Sequence, residues 1–81
     1  RPLLSQSVGC WVAESEISDM LAAVEKAHEG CQIGSYPFFR EGKVGSNFVI
    51  RSVDQAGLDA CAQALIAELA KLGREGVIGG I

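Results

Sequence analysis

Residues 31–54 read Cys31-Gln32-Ile33-Gly34-Ser35-Tyr36-Pro37-Phe38-Phe39-Arg40-Glu41-Gly42-Lys43-Val44-Gly45-Ser46-Asn47-Phe48-Val49-Ile50-Arg51-Ser52-Val53-Asp54. Cys31 to Phe39 reads as a strand. Pro37 lacks the N–H that a central strand must donate, so this strand belongs at a sheet edge, or its ladder breaks there. Arg40-Glu41-Gly42-Lys43 reads as a hairpin turn. Ser46 to Val53 is the next strand, with Phe48 and Ile50 on one face and Asn47, Val49 and Arg51 on the other. Asp54 then opens a helix as its N-cap.

The flanks complete the pattern. Leu4 to Val12 alternates as a strand, with Leu4, Gln6, Val8, Cys10 and Val12 on one face. Ser5, Ser7, Gly9 and Trp11 lie on the other. Ala13 to Glu16 starts a helix with Glu14 or Ser15 as N-cap and acids in its first turn. Ile17, Met20, Leu21, Val24, Ala27 and His28 recur at helical spacing, and Gly30 stops the run. The second helix runs from Gln55 to Leu72, with a stripe of Leu58, Cys61, Ala62, Leu65, Leu69 and Leu72 ended by Gly73. Val77-Ile78 is a short last strand. The order strand, helix, strand, strand, helix, strand predicts an α+β, ferredoxin-like βαββαβ fold. Right-handed crossovers put both helices on one face of a four-stranded antiparallel sheet of order 4-1-3-2. The strand that carries Pro37 then falls at an edge, in agreement with the proline.

Composition bounds the function. The chain has 81 residues, 48% of them hydrophobic and 21% charged, with a formal net charge of −3. That is a single small domain of ordinary globular composition. The negative balance argues against broad electrostatic binding to nucleic acid or anionic membrane. No apolar run approaches the roughly 18 residues of a membrane span. Cys10, Cys31 and Cys61 form no C-x-x-C and read as reduced core thiols, which points to the cytoplasm. With His28 as the one histidine, neither a metal site nor a dyad or triad is expected. His28 reads as a packed or capping residue. The chain starts at Arg1, which suggests a domain, residues 1–81, excised from a longer protein.

If the helices cover the face of Val8, Cys10, Phe48 and Ile50, the opposite face presents Trp11, Val49 and one aromatic set from around Pro37. An uncovered aromatic face is an expected contact surface.

The segment Ile33-Gly34-Ser35-Tyr36-Pro37-Phe38-Phe39 resembles the signature that follows the molybdopterin-binding domain in CinA-like (competence- and damage-inducible) proteins, which are related to MoaB and MogA, and also the related domain of eukaryotic FAD synthases. The acidic helix before it and the hairpin, Phe48 to Asp54 and alanine-rich helix after it extend the likeness over residues 4–75. The resemblance implies an accessory subdomain of a CinA-like, molybdopterin-binding protein, supporting interdomain packing or oligomerisation. Its partners would be the missing N-terminal domain or a second copy, with no nucleic acid and no membrane. The fragment itself is expected to hold no cofactor and no catalytic residue, while the parent binds molybdopterin or a nucleotide. Trp11, Gly34, Ser35, Tyr36, Pro37 and Phe38 are the expected interaction residues. Two alternatives stand beside this one. The first is an ACT-like module that binds a small molecule. The second is a subdomain lending Arg40, Lys43 or Arg51 to a nucleotide pyrophosphatase site in the parent.

Overall fold

A computed structural model describes residues 3–81 of the chain. Its elements are β1 (Leu4–Cys10), α1 (Glu14–Ala27), β2 (Gln32–Arg40), β3 (Lys43–Ser52), α2 (Gln55–Lys71) and β4 (Val77–Ile78). One antiparallel sheet has the order β2-β3-β1-β4. The architecture is the expected ferredoxin-like α+β fold, with β2 and its proline at an edge.

The core lies between the sheet and the two helices. Val8 and Cys10 of β1 and Phe48 and Ile50 of β3 are at most 1% exposed. They meet Ile17, Leu21 and Val24 of α1 and Leu58, Cys61, Ala62, Leu65 and Leu69 of α2. Apolar residues at i, i+3, i+4 and i+7 give each helix one buried stripe. Leu72 does not continue that stripe. It is the C-cap of α2 and is exposed. The chain turns away there: Gly73 takes φ +73°, and the Arg74 and Gly73 N–H groups donate to the Leu69 and Ala70 carbonyls. This is a Schellman ending, which satisfies carbonyls that the helix leaves unpaired.

Several boundaries differ from the expected ones for identifiable reasons. β1 stops at Cys10 rather than Val12, because the Val12 N–H donates to the Cys10 carbonyl in a bend. α1 is capped by Ala13, not Glu14 or Ser15, and the Glu16 carboxylate reaches back to accept from the Ala13 N–H at 3.1 Å. An acid at the third helical position thus satisfies the start of the helix without a polar N-cap side chain. β3 starts at Lys43, three residues before Ser46, because the turn is tight. Glu41 (φ 50°) and Gly42 (φ 79°) are both left-handed, so Arg40 and Lys43 pair directly across a type I′ turn.

The remaining signals hold as read. Asp54 caps α2 by accepting from the Gly57 N–H at 2.9 Å. The C-cap of α1 is His28, whose Nδ1–H donates to the Val24 carbonyl at 2.8 Å.

Candidate functional site: the open face of the sheet

Side chains alternate along a strand, so the register assigns each residue to a face. Gly34, Tyr36 and Phe38 of β2 pair with Val49, Asn47 and Gly45 of β3, on the face away from the helices. Ser35 and Pro37 pair with Phe48 and Ser46, on the helix side. Of the six expected interaction residues, Trp11, Gly34, Tyr36 and Phe38 therefore share the open face. Ser35 and Pro37 do not join them.

Pro37 has a different task. The Ile33 N–H points out of the sheet edge, where the Glu25 carboxylate accepts it at 2.7 Å. Outward N–H groups recur at every second residue, so position 37 falls where the edge would present another one. Proline removes that donor at no cost to the ladder. An acid and a proline thus blunt the free edge of β2 against pairing with other chains.

Trp11 and Phe38 come together over Gly45. Their rings meet edge to face, with centroids 5.1 Å apart and planes at 77°. Gly45 lies beneath the Phe38 ring, and a Cβ there would collide with it. Trp11 is aimed by the bend after β1. Buried Ser46 Oγ–H donates to the Val12 carbonyl at 3.1 Å, and Arg74 Nη1 donates to the Trp11 carbonyl at 3.4 Å. The Arg40 guanidinium sits 4.8 Å from the centre of the Phe38 ring, a cation–π contact.

The end of the chain closes one side of this cluster. The Ile81 N–H donates to Asn47 Oδ1 at 2.9 Å, and Asn47 Nδ2 and Arg40 Nη2 each donate to the Ile81 carbonyl at 3.3 Å. Gly9 makes room for this crossing: a Cβ on it would stand 2.5 Å from the Ile81 nitrogen. The tail thus uses the open face of β1 and β3 while leaving Trp11 39% exposed.

The hairpin end carries a further apolar pair. Phe39 and Val44 are cross-strand partners on the helix side, yet they are 69% and 47% exposed because the hairpin runs past the helices. The helix side of the hairpin end is therefore apolar, while on the open side Arg40 and Lys43 flank Phe38. Val44 was not among the expected residues, and neither was Phe39. The type I′ turn signal at Glu41-Gly42 carries the register that places them opposite one another.

No group of three or more His, Cys, Asp or Glu that could hold a metal occurs among the described residues. Cys10, Cys31 and Cys61 are all buried and free. Burial first, and the neighbouring Cys31 second, push the Cys61 thiol from 9.0 up to about 11. That thiol is not an activated nucleophile. His28 is engaged at a helix end. Among the described residues, no helix is long and apolar enough to cross a membrane.

Residues 2–74 match the family described as FAD synthase, middle domain. The chain belongs to this family. That match overturns the CinA-like, MoaB- and MogA-related assignment, and with it the molybdopterin-linked accessory role. The segment Ile33 to Phe39, which also resembled the FAD synthase domain, encodes an extended edge strand with open-face aromatics. Those are demands of the sheet and specify no pterin. No curated protein matches.

Among solved structures, the de novo designed protein Foldit4 superposes with a TM-score of 0.73 at 15% identity, covering 94% of this chain and 90% of that one. Formyltetrahydrofolate deformylase from Burkholderia mallei ATCC 23344 gives 0.55 at 11% identity, over 95% of this chain. The chain spans 27% of that enzyme's length. At these identities the likeness is one of fold alone.

Proposed function

We propose that this chain is a docking domain of an FAD synthase. Its apolar hairpin end packs against an adjoining part of the parent protein. The observation that carries this reading is the Trp11–Phe38 pair, seated over Gly45 on a sheet face that no helix covers. Phe39 and Val44 extend the apolar surface to the other side of the same hairpin. Contiguous exposed apolar surface with aromatic anchors and a basic neighbour such as Arg40 is the composition of interface cores. The domain positions other parts of the protein and performs no chemistry itself. Three buried free thiols support a reducing, cytoplasmic setting.

Hydrogen exchange tests the reading, comparing the 81-residue chain with the full-length synthase that contains it. Docking should slow exchange in peptides that span Trp11 and residues 36–46, and Trp11→Ala with Phe38→Ala should abolish the difference. Equal exchange in the two forms would sink the proposal. A doubled solution mass for the 81-residue chain, lost in the same variant, would reassign the surface to a second copy.

A further inference from the structure

Two of the three thiols stand side by side where α1 hands over to β2. The turn at Gly30, with φ +85°, is followed at once by Cys31, whose N–H donates to the His28 carbonyl at 3.1 Å. Its Sγ–H donates to the Gly57 carbonyl of α2 at 3.5 Å. Gly57 comes one helical turn before Cys61, so the two positions lie on one face of α2. Side chains on a helix lean toward its N-terminus, so the Cys61 sulfur leans over the turn that Cys31 touches. The two thiols are hydrogen-bonding neighbours. Cys10, on β1, has Arg74 and the Trp11 backbone as its polar neighbours instead of a thiol.

The pair differs in access. Cys61 is fully buried, whereas Cys31 is 6% exposed and lines a cleft between the end of α1 and β2, beside Glu29, Gly30 and Gln32. A small oxidant entering that cleft meets Cys31 first. Burial holds the proton on Cys61, so this thiol suits a second step, attack on a sulfur already placed next to it.

We propose that Cys31 and Cys61 are an oxidation site, joined by hydrogen peroxide into a reversible intramolecular disulfide. The Cys31 thiolate attacks one peroxide oxygen, the O–O bond breaks, and Cys31 becomes a sulfenic acid as one water leaves. The Cys61 sulfur then attacks the sulfenic sulfur, and its proton departs with the hydroxyl as a second water. Two thiols give up two electrons and two protons, and the peroxide takes them up. A dithiol reductant reverses the bond by exchange. The bond closes residues 31–61, with β2 and β3, into a loop and fastens the start of the edge strand to α2. In a reducing compartment such a disulfide is transient, so the free thiols are its resting state. The inference goes beyond the docking reading, since neither cysteine lies at the hairpin end.

Treatment of the native 81-residue chain with hydrogen peroxide, followed by peptide mapping without reductant, tests it. Cleavage after Lys26, Arg40, Arg51 and Lys71 puts the three cysteines on separate peptides. The expected product is a monomer lighter by two hydrogens, with the Cys31 and Cys61 peptides linked and Cys10 still open to alkylation. Dithiothreitol should restore all three thiols. The oxidised chain should unfold at a higher urea midpoint than the reduced one, because the cross-link restricts the unfolded chain. Cys10→Ser should keep the cross-link, and Cys31→Ser should abolish it. Cys61→Ser should leave Cys31 to advance to the sulfinic acid. A cross-link to Cys10, a disulfide-linked dimer, or a Cys31–Cys61 bond that forms only in denaturant would each overturn the inference. So would a midpoint that falls on oxidation, because the two sulfurs would then be joined only by straining the fold. None of these outcomes depends on the exchange experiment above, so the two readings fail separately.

Discussion

The two faces of the sheet are built from the same strands and even from adjacent residues, yet they obey different rules. Phe48 and Ile50 are fully buried on one side, while their neighbours Asn47, Val49 and Arg51 are half-buried on the other. On the covered face every position must fill space against a helix. On the open face the aromatics pack against glycines of the sheet itself, Phe38 over Gly45 and Tyr36 over Gly34. The covered face holds the fold together. The open face spends some of its intrinsic stability, two glycines in strands, on placing rings where another molecule can reach them.

The largest test of this contrast is Phe48→Ala. A fully buried ring at the centre of β3 is worth about 3–5 kcal/mol. Native proteins are stable by about 5–15 kcal/mol, so a urea titration should show the variant unfolding at a much lower midpoint. A loss under about 1 kcal/mol would mean that the covered face is not the core.

Next in size is a pH effect from the same face. Cys61 is raised by burial from 9.0 to about 11, so the folded state resists its ionisation. The stability this contributes is fully present below about pH 9. It is lost as pH rises from 9 toward 11, by about 2–3 kcal/mol at most. The urea midpoint of the native chain should fall across that window more steeply than that of Cys61→Ala. Parallel slopes would show that the thiol does not sense the covered face.

Gly45→Val should have the smallest effect on stability, about 1–3 kcal/mol, because the hairpin end has few helix contacts to lose. Its main consequence should be spectroscopic. With the Phe38 ring displaced, the near-ultraviolet circular dichroism of Trp11 should collapse while the far-ultraviolet signal stays. Retention of the Trp11 signal would show that the glycine is not what seats the aromatic pair.

Much of the fold was legible in the sequence because its signals are local. Alternation fixed the strand faces, Asp54 and Gly73 bounded α2, and Pro37 placed β2 at an edge. Ala13 as a cap was not legible, since Glu16 does the work from three residues on. Leu72 carries a helix-core residue type at a position where the Schellman turn has already left the core. The candidate site was legible only in part. Trp11, Tyr36 and Phe38 were expected on the open face, but Val44 and Phe39 were not in the set. Their exposure depends on how far the hairpin outruns the helices, which no local pattern records. The segment from Ile33 to Phe39 resembled two families, and the assignment to the CinA-like one was wrong while the likeness to the FAD synthase domain held.

The sequence by itself determined the order of elements, the strand carrying the edge and the residues of the helix-covered core. Periodicity and turn chemistry act over a few residues, and that suffices for these features. Only the tertiary structure decided that Phe38 meets Trp11 across Gly45, that Tyr36 lies down over Gly34 beside Arg51, and that Ile81 returns to Asn47. These contacts join residues far apart in the chain. They follow from strand register, helix length and the absence of two side chains, which act together only once the sheet has formed.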